Sequence, residues 1–120
     1  MAKSLILICD DEEGIRESLK LILGDSYDLI LTEDGAQCLE ILKNAADIGL
    51  VLIDIKMPKV NGLEILGEIK KKYPDLKVVV VTGYKSVETA NEAVKLGASG
   101  YIVKPFKSEE ILATARSILS

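Results

Sequence analysis

Histidine and tryptophan are both absent from the 120 residues of this chain. Without histidine, the chain has no histidine general base, no histidine-containing zinc site and no Ser-His or Cys-His nucleophile pair. Its chemistry must therefore use carboxylates, lysine, hydroxyl groups, backbone groups or a hard metal ion.

Cysteine is scarce, with only Cys9 and Cys38 present. These two residues have neither the spacing of a metal site nor the pattern of a disulfide framework. Cys9 ends an apolar run and Cys38 lies in a helical pattern, so both are predicted to be small buried residues.

Long apolar runs are missing as well. No stretch approaches the about 20 apolar residues of a membrane span, and the five apolar residues at 5–9 are too few for a signal peptide. The formal net charge of −4 disfavours general binding to nucleic acid or to an anionic membrane. These features predict a cytoplasmic protein that has neither nucleic acid nor a membrane as a direct partner.

Short apolar runs alternate with segments of helical period along the chain. The predicted strands are 5–9, 28–32, 50–54, 77–82 and 100–103, and the predicted helices are 12–24, 34–46, 61–73, 86–97 and 108–119. The strand runs are almost continuously apolar, which is typical of a parallel sheet with helices on both faces. The sequence therefore predicts one α/β domain over 1–120, built on an open, doubly wound, five-stranded parallel sheet.

Polar residues follow the predicted strands at the edge where open α/β sheets bind their ligands. They are Asp10, Asp11 and Glu12 after the first strand, Asp54 at the third, Thr82 at the fourth and Lys104 after the fifth. Carboxylates without a softer ligand predict a hard octahedral cation, Mg²⁺ before Ca²⁺ or Mn²⁺. Lysine and a hydroxyl add donors for an anion, so the set indicates phosphoryl transfer, in which a carboxylate can be the nucleophile.

These residues, in this order, resemble the receiver domain of bacterial two-component response regulators. The motifs are the acid pair at 10–11, the segment D-x-x-M-P-x-x-N-G at 54–62, Thr82-Gly83 and Lys104-Pro105-Phe106. Together they cover essentially the whole chain, and the ordered set is far more specific than any one motif. The resemblance implies the flavodoxin-like strand order 2-1-3-4-5 and a cis Lys104–Pro105 peptide bond.

The resemblance also implies roles for single residues. Asp54 would be the phosphoacceptor, supplied by a histidine of a sensor kinase or histidine phosphotransfer protein. Mg²⁺, or Mn²⁺ in its place, would be held by Asp10, Asp11, Asp54 and the backbone carbonyl of Lys56. Lys104 and Thr82 would contact phosphoryl oxygens, as expected of a phosphoacceptor that assists its own phosphorylation and slow dephosphorylation rather than of a conventional enzyme.

Further implied roles concern switching and docking. Thr82 and Tyr101 would move together on phosphorylation, and the side chains of Lys56 and Tyr84 would tune hydrolysis. A face on the fourth helix, fifth strand and fifth helix would bind a downstream protein, an output domain or a second copy, through Val87, Asn91, Lys95, Tyr101 and Lys107. The kinase would dock on the first helix around Ile15, Arg16 and Leu19, and on the loop after the fifth strand.

Several alternatives stay open from the sequence. Asp10 and Asp11 also suit a helix start, Thr82 a helix cap, Lys104 a solvated surface and Tyr101 the core. Glu12 either assists the metal through water or merely starts the helix. A flavodoxin-like FMN binder shares the architecture, although "CDDEEG" would repel a phosphate. A carboxylate-nucleophile phosphatase is a further alternative, although Lys56 stands where its acid/base Asp should be.

Overall fold

The computed structural model describes residues 3–45, 47–58 and 60–119. Its strands are β1 (Leu5–Cys9), β2 (Asp28–Thr32), β3 (Ile48–Ile53), β4 (Lys56–Met57), β5 (Val60–Asn61), β6 (Lys77–Thr82) and β7 (Gly100–Val103). Five of them form a sheet in the order β2-β1-β3-β6-β7, with all neighbours parallel. This confirms the predicted doubly wound sheet and its order 2-1-3-4-5, because the five long strands are the predicted ones.

The helices lie close to their predicted positions. They are α1 (Glu13–Leu23), α2 (Gly35–Asn44), α3 (Gly62–Lys72), α4 (Val87–Lys95) and α5 (Ser108–Leu119). The first four begin and end inside the predicted ranges, because those ranges included the flanking capping residues. One of these is Ser86, whose Oγ accepts a hydrogen bond from the Thr89 amide. The predicted end of the second helix at 46 lies outside the described residues.

The third strand begins earlier than predicted. It starts at Ile48 rather than at residue 50, and it ends at Ile53, so Asp54 follows the strand instead of closing it. Gly49 breaks the apolar run in the sequence, and glycine is generally unfavourable in strands. Pairing of Ile48 with Leu5 of the neighbouring β1 includes this stretch in the sheet despite that propensity.

Two apolar layers cover the faces of the sheet. Alternate residues of β1 point to opposite sides, so Leu7 and Cys9 contribute to one layer and Ile6 and Ile8 to the other. The first layer is completed by α2, α3 and α4, and the second by α1 and α5. Cys9 and Cys38 are both fully buried in the first layer, which confirms their predicted packing role.

A hairpin of two strands with two residues each, which the sequence pattern did not predict, follows Asp54. Strands β4 and β5 pair antiparallel, with Met57 opposite Val60. The backbone of Ile55 then passes so close to Gly62 that a Cβ there would lie 2.2 Å from the Ile55 Cα. Gly62 therefore allows the start of α3 to contact the segment that carries Asp54.

None of the helices within the described ranges has the length and apolar content needed to cross a bilayer.

Candidate functional site

Four polar residues meet at the carboxyl edge of the sheet. Asp10 follows β1, Asp54 follows β3, Thr82 ends β6 and Lys104 follows β7. Backbone bonds continue the strand pairing past the strand ends, from the Asp54 amide to the Cys9 carbonyl at 3.0 Å and from the Lys104 amide to the Thr82 carbonyl at 2.8 Å. The sheet thus fixes the main chain of residues that lie far apart in the sequence.

The Lys104 ammonium is shared by three carboxylates. Its Nζ donates to Oδ2 of Asp54 at 2.8 Å and to Oε1 of Glu12 at 2.9 Å, and it lies 2.9 Å from Oδ2 of Asp10. Burial alone would lower the pKa of Lys104, but hydrogen bonds to Asp54, Asp10 and Glu12 outweigh it and raise the pKa above its ordinary value. Lys104 is therefore a fixed positive charge at the centre of the acidic cluster.

Asp54 is 2% exposed, and its two carboxylate oxygens have different partners. Oδ2 accepts from Lys104, while Oδ1 accepts from the backbone amide of Lys56 at 2.8 Å. The second contact closes a short turn after β3 and orients the carboxylate. Asp54 is consequently held in one position by the Lys104 side chain and by the backbone amide of Lys56.

Asp10 is equally buried, at 2% exposed. Its Oδ1 accepts from the Glu12 amide at 2.9 Å, and its own amide donates to the Thr32 carbonyl at 3.1 Å. Burial raises the pKa of the Asp10 carboxyl, and the hydrogen bond from Lys104 opposes that rise only in part. Asp10 is therefore a charge whose burial is incompletely compensated by the protein's own groups.

The acidic cluster has the composition and spacing of a site for a hard cation. Asp10, Asp11, Glu12 and Asp54 can each offer one carboxylate oxygen, and these oxygens all lie within 4.8 Å of one another. All are oxygen donors, which Mg²⁺ and Ca²⁺ prefer. An added cation would also offset the burial of Asp10, so the residues present fit the ion that the sequence predicted.

An open cleft of about 430 Å³ gives access to the cluster. It is lined by Asp11, Glu12, Asp54, Lys56, Met57, Pro58 and Gly83. Asp11 and Glu12 are exposed at its rim, whereas Asp54 lies at its base. A group arriving from solvent would therefore reach Asp54 past the two exposed acids.

Thr82 is connected to Tyr101 through the backbone of Tyr84. The fully buried Thr82 accepts from the Tyr84 amide at 3.4 Å through its Oγ1. The hydroxyl of Tyr101 donates to the Tyr84 carbonyl at 2.8 Å, and its ring packs against the first apolar layer. Tyr101 is thus both a partly buried core aromatic and a hydrogen-bond partner of the loop after β6.

The two side chains predicted to tune hydrolysis contact each other. Lys56 Nζ lies 5.3 Å from the centroid of the Tyr84 ring, within the range of a cation–π interaction. Lys56 belongs to β4 and Tyr84 to the loop after β6, so the contact bridges two loops at the cleft.

Sequence reasoning missed two contacts. Glu12 had no assigned role, and it holds Lys104 from a position 92 residues away. Arg16 was predicted to be a docking residue, but its Nη1 donates to the Asp10 carbonyl at 2.8 Å. The Lys104–Pro105 peptide bond is cis, as the resemblance implied.

The two predicted docking surfaces differ in how exposed their residues are. Leu19 is 1% exposed within the second apolar layer, so the prediction that it contributes to kinase docking is wrong. The other surface is accessible: Val87, Asn91, Lys95 and Lys107 are exposed and Tyr101 is partly exposed. Val94, which was not predicted, adds an exposed apolar side chain to α4.

Comparison with known proteins gives a consistent result. The family model of the response regulator receiver domain matches residues 6–116. Response regulator MprA of Mycobacterium sp. (strain KMS) is 36% identical over 115 residues, which cover 95% of this chain and 50% of that protein. The chain therefore spans about half the length of the curated relatives it matches.

Solved structures agree with the family match. A CheY-like response regulator receiver domain protein from Methanospirillum hungatei JF-1 has a TM-score of 0.91 and 32% identity, covering 97% of this chain and 93% of that one. The receiver domain of NtrX from Brucella abortus has a TM-score of 0.87 and 35% identity, covering 95% and 97%. These matches decide against the FMN-binding and phosphatase alternatives. The chain belongs to the response regulator receiver domain family, the phosphoacceptor domains of two-component signalling.

Proposed function

We propose that Asp54 accepts a phosphoryl group from a phosphohistidine of a sensor kinase or histidine phosphotransfer protein. A carboxylate oxygen of Asp54 forms the bond to phosphorus while the phosphorus–nitrogen bond of the donor breaks, and the imidazole leaves with the electron pair. The observation that carries this proposal is the position of Asp54 at the base of the cleft, fixed by Lys104 and by the Lys56 amide.

Lys104 and Thr82 supply donors for the transferred oxygens. Lys104 already contacts Asp54, so its ammonium is placed to neutralise charge that develops on the phosphoryl group. The Thr82 hydroxyl accepts from the Tyr84 amide, which leaves its proton to donate to a second phosphoryl oxygen. Lys104 is positioned before transfer, so little reorganisation of its ammonium is needed, whereas Thr82 reaches its phosphoryl oxygen by moving inward.

Asp10, Asp11, Asp54 and the backbone carbonyl of Lys56 are proposed to hold Mg²⁺, for which Mn²⁺ can substitute. When bound, the ion supplies charge neutralisation for phosphoryl transfer. The carboxylate oxygens that lie within 4.8 Å of one another support this site. Glu12 is left out of the proposed ligand set and is assigned to Lys104, whose Nζ its Oε1 contacts at 2.9 Å.

Phosphorylation is proposed to shift an existing equilibrium at the surface of α4, β7 and α5. A phosphoryl oxygen that draws Thr82 inward would move the loop after β6, and the Tyr84 carbonyl in that loop holds the Tyr101 hydroxyl. The exposed side chains Val87, Asn91, Lys95 and Lys107 then form the docking surface for an output domain, a downstream protein or a second phosphorylated copy. In this scheme the domain is a cytoplasmic phosphoacceptor, not an enzyme that turns over free substrates.

The proposal is tested by incubating the protein with acetyl phosphate and Mg²⁺ and weighing it intact. The wild type and Asp25→Asn, which removes an exposed acid between α1 and β2, should gain one phosphoryl group. Asp54→Asn should gain none, and chelation of Mg²⁺ should abolish the adduct in the wild type and in Asp25→Asn. An adduct that persists in Asp54→Asn would refute the assignment, and steady turnover of phosphate esters would refute the non-enzymatic role.

A further inference from the structure

Arg16 is a helix residue whose guanidinium turns away from solvent. Its Nη1 donates to the carbonyl oxygen of Asp10 at 2.8 Å. Its Nη2 lies 3.7 Å from Oε2 of Glu33, just after β2, with side chains 17% and 61% exposed respectively. Arg16 therefore joins the loop after β1 to the loop after β2, both at the carboxyl edge of the sheet.

The two contacts of Arg16 differ in strength. An ion pair at 3.7 Å to a largely exposed glutamate is screened by solvent and contributes little. The bond to the Asp10 carbonyl is short, charge-assisted and partly buried, so it is the stronger of the two. The planar fork of arginine points a separate nitrogen at each loop, whereas a lysine would have to reach both loops from one nitrogen.

The Asp10 carbonyl has a special position in the chain. It belongs to the same planar peptide unit as the amide of Asp11. A contact that fixes this oxygen therefore also fixes the Asp11 nitrogen. The rest of Asp10 is anchored through its amide to Thr32, through Oδ1 to Glu12 and through Oδ2 to Lys104. Arg16 holds the carbonyl oxygen of Asp10, the remaining polar group of that residue, next to the exposed Asp11.

We infer that Arg16 is a positioning residue for the cation site, which sets the peptide between Asp10 and Asp11 so that both carboxylates face the same ion. This inference rests on the proposed function, because it concerns the same site. It assigns Arg16 a role inside the domain, and the surface docking role that the resemblance implied stays a prediction.

An electrostatic role and a positioning role of Arg16 predict opposite changes in Mg²⁺ affinity when the side chain is removed. Arg16 is a cation bonded to the backbone of Asp10 in the acidic cluster, so a purely electrostatic effect would make its removal strengthen Mg²⁺ binding. Loss of a positioning contact would weaken binding, since removing groups that orient metal ligands typically costs about 10-fold or more in metal affinity. The sign of the change therefore separates the two effects.

The test is calorimetric titration of the unphosphorylated protein with Mg²⁺, which needs no phosphate donor. Arg16→Met should raise the Mg²⁺ dissociation constant by about 10-fold, and Arg16→Lys should recover part of the loss. Lys20→Met, which removes an exposed cation from the same helix, should change it by less than about 2-fold. Glu33→Gln should change it equally little, because it leaves the bond to the Asp10 carbonyl in place.

Hydrogen exchange at the Glu12 amide gives a second readout, because that amide depends on the Asp10 side chain. Exchange should be faster in Arg16→Lys than in the wild type, which keeps the inference testable if Arg16→Met fails to fold. Unchanged or tighter Mg²⁺ binding by Arg16→Met, in a variant that still forms the Asp54 adduct at saturating Mg²⁺, would overturn the inference alone. A wild type that binds no Mg²⁺ would overturn the proposed cation site together with the inference.

Discussion

Lys104 donates to Oδ2 of Asp54 at 2.8 Å, although the two residues are 50 positions apart in the chain. The contact is possible because β3 and β7 end at the same edge of one parallel sheet, on either side of β6. Asp10, at the end of the adjacent β1, lies 2.9 Å from the same ammonium. One lysine thus compensates two buried carboxylates that would otherwise repel each other.

Replacement of Lys104 by Met should destabilise the fold. The change leaves Asp10 and Asp54 buried without their cation, which typically costs about 3 kcal/mol or more in the free energy of unfolding. Urea denaturation at neutral pH measures the loss, and added Mg²⁺ should reduce it. Lys107→Met, an exposed lysine before α5, is the control, and equal stability of the two variants would contradict the role of Lys104.

The phenol of Tyr101 should have a higher pKa than that of an ordinary tyrosine. Burial first, and then the negative charge of Asp54, raise the pKa of its phenol above the usual 10.0. A raised pKa in the folded state stabilises the fold below pH 10.0, and this contribution is lost as the pH rises through the folded value. Absorbance titration near 295 nm should show one late phenol that Tyr101→Phe removes, whereas loss of an early phenol would show that the ring is solvated.

Lys56 and Tyr84 should set the lifetime of the phosphorylated state together. A cation–π contact at an exposed site is worth about 0.5–1 kcal/mol, so breaking it should speed dephosphorylation by about 2- to 5-fold. Lys56→Met, Tyr84→Ala and the double variant are compared by the decay of the intact-mass adduct. The double variant should decay no faster than Tyr84→Ala, and multiplicative effects of the two changes would show that the side chains act independently.

Two glycines should respond to alanine in opposite directions. Gly62→Ala places a Cβ against the Ile55 backbone and should lower the free energy of unfolding by about 2 kcal/mol. Gly14→Ala, in the first turn of α1 with nothing within 4 Å of the added carbon, should raise it by up to about 1 kcal/mol. Chemical denaturation measures both, and a neutral Gly62→Ala would show that the segment after Asp54 can shift freely.

The sequence predicted the sheet well because its strands are apolar on both faces and turn polar where they end. That same feature predicted that Asp10, Asp54, Thr82 and Lys104 lie at one edge of the sheet. The hairpin of β4 and β5 escaped prediction because two-residue strands have no measurable periodicity. The start of β3 at Ile48 was missed because its pairing with Leu5 outweighs the poor strand propensity of Gly49.

The contacts of Glu12 and Arg16 could not be read from the sequence for another reason. Both are charged residues at the start of a helix, where solvent exposure is the usual outcome. Their partners are a side chain 92 residues away and a backbone carbonyl, and neither leaves a pattern in the local sequence. Side-chain direction at the ends of elements was therefore the least predictable feature of this site.

The most direct test of the central claim is to locate the phosphoryl group itself. The protein is phosphorylated with acetyl phosphate and Mg²⁺, reduced with borohydride, which converts an aspartyl phosphate to homoserine, and sequenced by fragmentation of its peptides. Residue 54 should be read as homoserine in the treated sample and as aspartate in a sample from which Mg²⁺ was withheld. Homoserine at Asp10 or Asp11, or at no residue, would contradict the assignment of Asp54 as the phosphoacceptor.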